Sequence, residues 1–228
     1  MAGATREGDD AIERIKRVWY LFCQTLLQVF FIMVFRLRVY GREQVPATGG
    51  VVIASNHQSF FDPVLVGVGL PRSLNYMARD TLFRIAPFRW LIRSLNAFPF
   101  RREGIDTGTI REAIRRVGAG GIVVIFPEGT RTNDARIGEI KKGAGLISRK
   151  AKSPVVPAVI DGAFEAWPRG QVLFRPWPVN VAFGRAMSYA EQARMSEPEV
   201  ARVISDRMAE LQRFLLTRRG IRRQTARR

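Results

Sequence analysis

His57 is the only histidine among 228 residues, and an aspartate, Asp62, follows it by five positions. An imidazole held at one ring nitrogen by a carboxylate keeps its other nitrogen free to take a proton, the orienting role an acid plays in hydrolase triads. The pair lies in GVVIASNHQSFFDP (residues 50–63), where an apolar run gives way to polar residues and then to Asp62-Pro63. Asp-Pro reads as a helix start, with Asp62 at the N-cap and Pro63 at the first helical position. His57 then sits in a loop at the carboxyl end of a strand, where open α/β sheets place ligands. A carboxylate has two oxygens, so capping and orienting are compatible. A second account also fits: Asp62 only caps, and Asn56 and His57 bond only within the loop.

The chain offers His57 no obvious protein nucleophile. It contains no G-x-S-x-G elbow, Ser59 is two residues from His57, and Cys23 lies in an apolar stretch that suits a thiolate poorly. His57 would therefore deprotonate a substrate hydroxyl directly. One cysteine and one histidine also exclude an intrachain disulfide, a Cys-rich zinc site and any multi-histidine metal site.

A second polar group follows another apolar run. GIVVIF (residues 121–126) leads into Pro127-Glu128-Gly129-Thr130-Arg131. Gly129 lets backbone approach a ligand closely, and Arg131 offers a bidentate fork for phosphate. Glu128 suits accepting from a substrate hydroxyl or holding Arg131. Upstream, AFPF (residues 97–100) ends on Arg101-Arg102. If the strands are neighbours, Arg102 and Arg131 converge on one anion; taken singly, each also reads as a surface ion-pair residue.

These loops need a scaffold. Strands are expected at Gly50–Ser55, Leu74–Arg79, Ala97–Arg102, Gly121–Phe126, Pro154–Asp161 and Pro178–Gly184, with helices at Pro63–Gly69, Thr81–Leu95 (broken near Pro87), Thr107–Val117, Lys142–Lys150 and Glu197–Thr217. The last begins with a capping box, Ser196 and Glu199. Alternating strands and helices predict a single α/β domain, a mostly parallel mixed sheet covered by helices.

Two flanking segments differ in kind. Val18–Phe35 runs 18 residues without a formal charge, just long enough to span a bilayer. Helical projection gathers Arg14, Arg17, Gln24 and Gln28 into one stripe, with Trp19, Phe22, Leu26 and Phe30 away from it. That pattern suits a helix lying in the interface or half of a re-entrant pair, and spanning stays open. Acids precede the segment and no small-residue cleavage site follows, unlike a signal peptide. At the other end, the last twelve residues hold six arginines and no acid, which reads either as a solvated tail or as attraction to anionic lipid, about 1 kcal/mol per basic residue. The expected organisation is a helical membrane element (1–35), an α/β domain (36–216) and a basic tail (217–228).

Net charge is +17, and only five of the 37 basic residues are lysines. An arginine-rich surface favours phosphate-bearing partners. A nucleic-acid-binding protein is the rival from another class. No basic strand interleaved with aromatics and no recognition-helix signature supports it, and a long uncharged aromatic segment is out of place there, so no nucleic-acid partner is expected.

Taken together, Asn56-His57-x-x-x-x-Asp62, Phe98-Pro99-Phe100-Arg101-Arg102, Phe126-Pro127-Glu128-Gly129-Thr130-Arg131 and Val155-Val156-Pro157-Ala158-Val159 resemble, in order, the four blocks of the glycerolipid acyltransferases, bacterial 1-acylglycerol-3-phosphate acyltransferases above all. The similarity covers roughly residues 35–190, and Lys141-Lys142-Gly143-Ala144-Gly145 also fits. The second block departs at Asn96 and Arg101, where many members carry glycine and an acid, a difference that bears on acceptor preference. The resemblance implies acyl transfer from acyl-CoA or acyl-carrier protein to a lysophospholipid hydroxyl at an anionic membrane surface, the cytoplasmic face of the cell membrane, without acyl-enzyme, metal or cofactor. It implies His57 as base and Asp62 as its orienting acid. Arg102 and Arg131 would bind the acceptor phosphate in a site shaped by Glu128, Gly129 and Thr130, with Asn56, Arg101 and Pro157 lining the pocket. A lysolipid lacking phosphate, such as a lyso-ornithine lipid, is the alternative acceptor.

Overall fold

The computed structural model describes residues 2–100 and 107–225. Along the chain these form α1 (Ala2–Phe35), β1 (Arg38–Tyr40), β2 (Val51–Ser55), α2 (Asp62–Val68), β3 (Leu74–Arg79), α3 (Ala86–Ser94), β4 (Ala97–Phe100) and α4 (Thr107–Gly118). There follow β5 (Ile122–Ile125), α5 (Leu146–Lys150), β6 (Val155–Asp161), α6 (Ala163–Ala166), β7 (Asn180–Phe183), α7 (Tyr189–Ala193) and α8 (Glu197–Thr225). All six expected strands are present, a residue or two shorter at some ends; the expected end of β4, at Arg101–Arg102, lies outside the described residues. The runs that read as fully buried, β2, β5 and β6, have no exposed residue.

The strands lie in one sheet in the order β1-β7-β6-β2-β5-β3-β4. Strands β2 to β6 are mutually parallel, and β7 runs antiparallel to β6 with β1 parallel beside it. The carboxyl ends of β2, β3, β4, β5 and β6 therefore point the same way, bringing the loops after β2 and β5 together.

Alternate side chains of the central strands feed two cores. Val51, Ile53, Ile122, Val124 and Val156 meet Leu65 and Val66 of α2 and Phe31 and Phe35 of α1 on one face. Val52, Ala54, Val123, Val155 and Val159 meet Ala113 and Val117 of α4 and Val200, Ile204 and Met208 of α8 on the other.

Two expected boundaries move. Phe31 and Phe35 are fully buried, and Val179 N–H donates to Phe35 O (2.9 Å). Burying a phenylalanine contributes about 1.5–3 kcal/mol, so residues 1–35 do not stand apart: the last turns of α1 belong to the core. Similarly, α8 runs through the expected start of the tail, and Arg219 bonds Asp161 (3.2 Å) and Glu165 (2.6 Å).

The polar stripe of α1 turns inward at Gln24, while Arg14 and Arg17 stay exposed. Gln24 Nε2 donates to Gly67 O (2.8 Å) and Leu70 O (2.6 Å), carbonyls at the end of α2. The apolar side chains Phe22, Leu26, Val29 and Met33 remain exposed. Arg14–Phe35 is long and apolar enough to cross a membrane, and few of its residues, Tyr20, Phe31 and Phe35, are buried within the protein.

Two caps differ from expectation. At Ser196 the Glu199 carboxylate accepts the Ser196 N–H (2.7 Å), but the serine hydroxyl also turns to that carboxylate, leaving half a capping box. The complete box is at Ser188 and Glu191, opening α7. Asn96 follows α3 at φ 64°, a left-handed conformation that asparagine tolerates better than other non-glycine residues.

Candidate active site

The chain leaves β2 at Ser55 and is fastened before it reaches His57. Asn56 is fully buried; its Nδ2 donates to Ile160 O (2.9 Å) and its Oδ1 accepts from Ile160 N–H (2.7 Å). It ties the end of β2 to the end of β6 and, contrary to expectation, does not line the pocket.

His57 Nδ1 lies 2.7 Å from Asp62 Oδ2. The same oxygen accepts the backbone N–H groups of Gln58 and Ser59 (2.7 Å for Ser59). An atom collecting amide protons is an acceptor, so Nδ1 is the protonated ring nitrogen and Nε2 keeps its lone pair. Asp62 is fully buried, and burial pushes its carboxyl above the ordinary range against the opposing pull of His57 and the two amides. The expected N-cap is corrected here. The cap position of α2 is Phe61, without a side-chain hydrogen bond, because the Asp62 carboxylate is wholly drawn back to the loop.

The imidazole stacks on Phe126 at 4.1 Å between centroids and 19° between planes. This holds the ring flat beside the loop after β5. That loop is bound to the His57 loop by Thr132 N–H to His57 O (2.8 Å) and Gln58 Nε2 to Ala135 O (3.1 Å). Glu128 completes the link: Oε1 accepts His57 N–H (2.7 Å) and Oε2 accepts Gly138 N–H (2.8 Å). Both oxygens of Glu128 thus serve backbone, and the side chain clamps two loops.

Burial raises the Glu128 carboxyl above its ordinary value, with the two amides and His57 opposing. A folded-state pKa above the unfolded one means the native protein binds the proton more tightly, so this contribution to stability is present at low pH and lost as pH rises. In denaturant melts over a pH series, the stability of the native protein relative to Glu128→Gln is expected to fall as pH climbs from the ordinary glutamate range through the raised value, then level off. A flat difference contradicts the assignment.

Gly129 takes φ 74° in a turn whose N–H bonds Phe126 O (3.0 Å), so a left-handed backbone explains this glycine. Arg131 places its guanidinium 3.7 Å over the Phe60 ring. Arg101 and Arg102 lie outside the described residues. Pro157 is buried in β6 at the position between Val155 and Val159, which face the α8 side of the sheet, and does not wall the site.

His57, Gly129, Thr130 and Arg131 border a cavity of about 630 Å³ between α1, α2, β3 and α3. Its walls are mainly apolar: Leu27, Val64, Val68, Met77, Leu82 and Ile92 among them. Tyr20 and Tyr76, hydroxyls 3.2 Å apart, supply polar groups to the wall, and burial pushes both phenols upward. Among the described residues lining it there is no serine or cysteine. Ser59 is buried with its hydroxyl donating to Trp167 O (2.8 Å). Sequence reasoning missed two lining arginines, Arg79 and Arg169. Arg79 had a signal, its place at the end of a strand; Arg169 had none.

The acyltransferase family profile matches residues 36–161, more than half of the chain and spanning every loop just described. The chain belongs to the acyltransferase family. This acyltransferase is 32% identical over 201 residues to the 1-acyl-sn-glycerol-3-phosphate acyltransferase of Bacillus subtilis, covering 86% of its own length and 98% of the relative's. It is 30% identical over 162 residues to a chloroplastic 1-acyl-sn-glycerol-3-phosphate acyltransferase of Brassica napus, covering 69% and 47%. The acyltransferase shares its fold with the crystal structure of PlsC, the 1-acyl-sn-glycerophosphate acyltransferase of Thermotoga maritima, at a TM-score of 0.77 and 24% identity, covering 89% of this chain and 82% of that one.

Proposed function

We propose that this acyltransferase moves a fatty acyl chain from acyl-CoA or acyl-carrier protein to the free hydroxyl of 1-acylglycerol 3-phosphate, giving phosphatidate. The observation that carries the reading is the placement of His57: it lines, together with Arg79, Arg131 and Arg169, a cavity whose other walls are mainly apolar. A fatty chain fits the apolar part, and a phosphate fits the arginines.

In this reading the acceptor hydroxyl gives its proton to His57 Nε2 while its oxygen attacks the thioester carbonyl. The tetrahedral intermediate collapses, the carbon–sulfur bond breaks, and the leaving thiolate recovers the proton from His57. Asp62 fixes the tautomer and stabilises the imidazolium. Arg131 anchors the acceptor phosphate, its guanidinium supported by Phe60. The exposed apolar face of α1 supports action at a membrane, which we place at its cytoplasmic face.

The test is a panel of lysolipid acceptors offered with each donor to the purified protein on vesicles. Lysophosphatidate is expected to be the preferred acceptor. Arg131→Ala is expected to raise its KM about tenfold or more, the loss of one charge-assisted contact, with kcat little changed. A preference for a lyso-ornithine lipid, or an unchanged KM, removes the phosphate from the proposal.

A further inference from the structure

The exposed apolar surface does not stop at α1. Helix α3 has no buried residue, and Phe88, Trp90 and Leu91 are exposed on it alongside Arg89 and Arg93. It is fixed to α1 by Trp19, which packs on Trp90 at 5.8 Å and donates to Ser94 Oγ (3.0 Å). Further along α1, the loop 168–176 holds Val172 and Leu173 out at 88% and 80% exposure. This loop is built, not loose: Arg175 N–H closes its base on Ala166 O (2.9 Å), and Trp167 Nε1 donates to Gln171 O (2.9 Å). Phe174 then packs against Phe30 and Phe35 of α1.

We propose that α3 and the loop 168–176 are bilayer-contacting elements that flank α1 and set the mouth of the cavity against a membrane with anionic headgroups. The proposal rests on the reading of α1 as a membrane-contacting helix and extends it to two segments not otherwise assigned. Three observations select a bilayer as the occupant. The apolar surface is continuous through the Trp19–Trp90 and Phe30–Phe174 contacts. Residues 18–42, 82–94 and 167–178 contain no acidic side chain, while Arg36, Arg89, Arg169 and Arg175 are exposed among them. Arginine beside tryptophan and aliphatic residues is the composition of surfaces that lie at the headgroup level. Finally, the cavity takes lining from all three elements: Leu27 of α1, Ile92 of α3 and Arg169 of the loop. A lipid tail moving between bilayer and cavity then need not cross water.

The experiment uses the full chain with Cys23→Ser, carrying Phe88→Cys or Leu173→Cys labelled with a nitrobenzoxadiazole fluorophore. Vesicles of phosphatidylcholine with phosphatidylglycerol are expected to shift both labels to the blue, and phosphatidylcholine alone to do so weakly. The unlabelled Val172→Glu/Leu173→Glu variant is expected to bind the anionic vesicles about tenfold or more weakly, because it loses two aliphatic contacts and turns two carboxylates toward anionic headgroups. Its turnover of a water-soluble short-chain acceptor should match the parent's. Labels that stay water-like while the protein sediments with vesicles overturn the proposal. A blue shift without vesicles, accompanied by a dimeric mass, overturns it too, because a second copy then covers the face. If the unmodified protein does not sediment, the reading of α1 fails along with the proposal. The spectral and sedimentation readouts need no activity, so the failure of the proposed reaction is separately visible.

Discussion

Replacing His57 with alanine is expected to lower kcat for acyl transfer by about 10²–10⁴-fold, the usual contribution of a positioned general base, with little change in the fold. Asp62→Asn tests the same pair more finely. In a triad whose acid uses both oxygens, an amide inverts the tautomer of the histidine and costs about 10⁴ in kcat. Here Oδ2 alone takes all three protons, from His57, Gln58 and Ser59, and Oδ1 is buried without a hydrogen bond. An asparagine can therefore keep its oxygen where the three donors converge and place its NH₂ in the empty position. The tautomer survives, and the loss is the negative charge facing the imidazolium. At an effective dielectric of about 20 that attraction is of order 3–4 kcal/mol, so a kcat lower by about 10²–10³-fold is expected, with the acceptor KM unchanged. The asparagine NH₂ would also be buried without an acceptor, costing about 1–3 kcal/mol of stability. Steady-state kinetics with circular dichroism on both variants check this. Near-native turnover by His57→Ala would sink the mechanism, and an Asp62→Asn loss of about 10⁴-fold would show that the tautomer does invert.

Asn56→Ala is expected to destabilise the protein by about 2–5 kcal/mol, since it strands both the N–H and the C=O of Ile160 in a dry interior. For a chain of this length that corresponds to a Tm lower by about 5–15 °C. Asn56→Asp should be no remedy, because the carboxylate keeps the acceptor for Ile160 N–H but turns a second oxygen toward Ile160 O. Thermal melts of the two variants decide it. A loss below about 1 kcal/mol would mean the loop after β2 is held by other means, Glu128 first among them.

These predictions separate what the sequence reveals from what only the folded chain does. The central strands are legible because both their faces are covered, and VVIAS, IVVI and VVPAVID are apolar up to the closing Ser55 and Asp161. Strand β1 is not, being three residues at the edge of the sheet with an arginine among them. The His57–Asp62 contact could be read from a five-residue spacing, which lets a carboxylate reach back across a turn. The jobs of Asn56 and Glu128 could not. Asn56 meets a strand 104 residues away and Glu128 meets the backbone of a residue 71 away, and local pattern carries no trace of such pairings. The resemblance to the acyltransferase blocks puts both near the substrate, because they share those blocks with His57 and Arg131. Pro157 was recoverable in principle, since its parity in β6 places it with Val155 and Val159.

The inward turn of Gln24 has a mechanical consequence. Helix α2 is seven residues long, a rod of about 10 Å, with the acid that orients His57 at one end. Its other end is gripped by Gln24 through Gly67 and Leu70. With α1 held at a membrane as proposed, any tilt or lift of it would be delivered along this single short strut to the His57 ring, making the pressure and thickness of the lipid inputs to the alignment of the proposed catalytic pair.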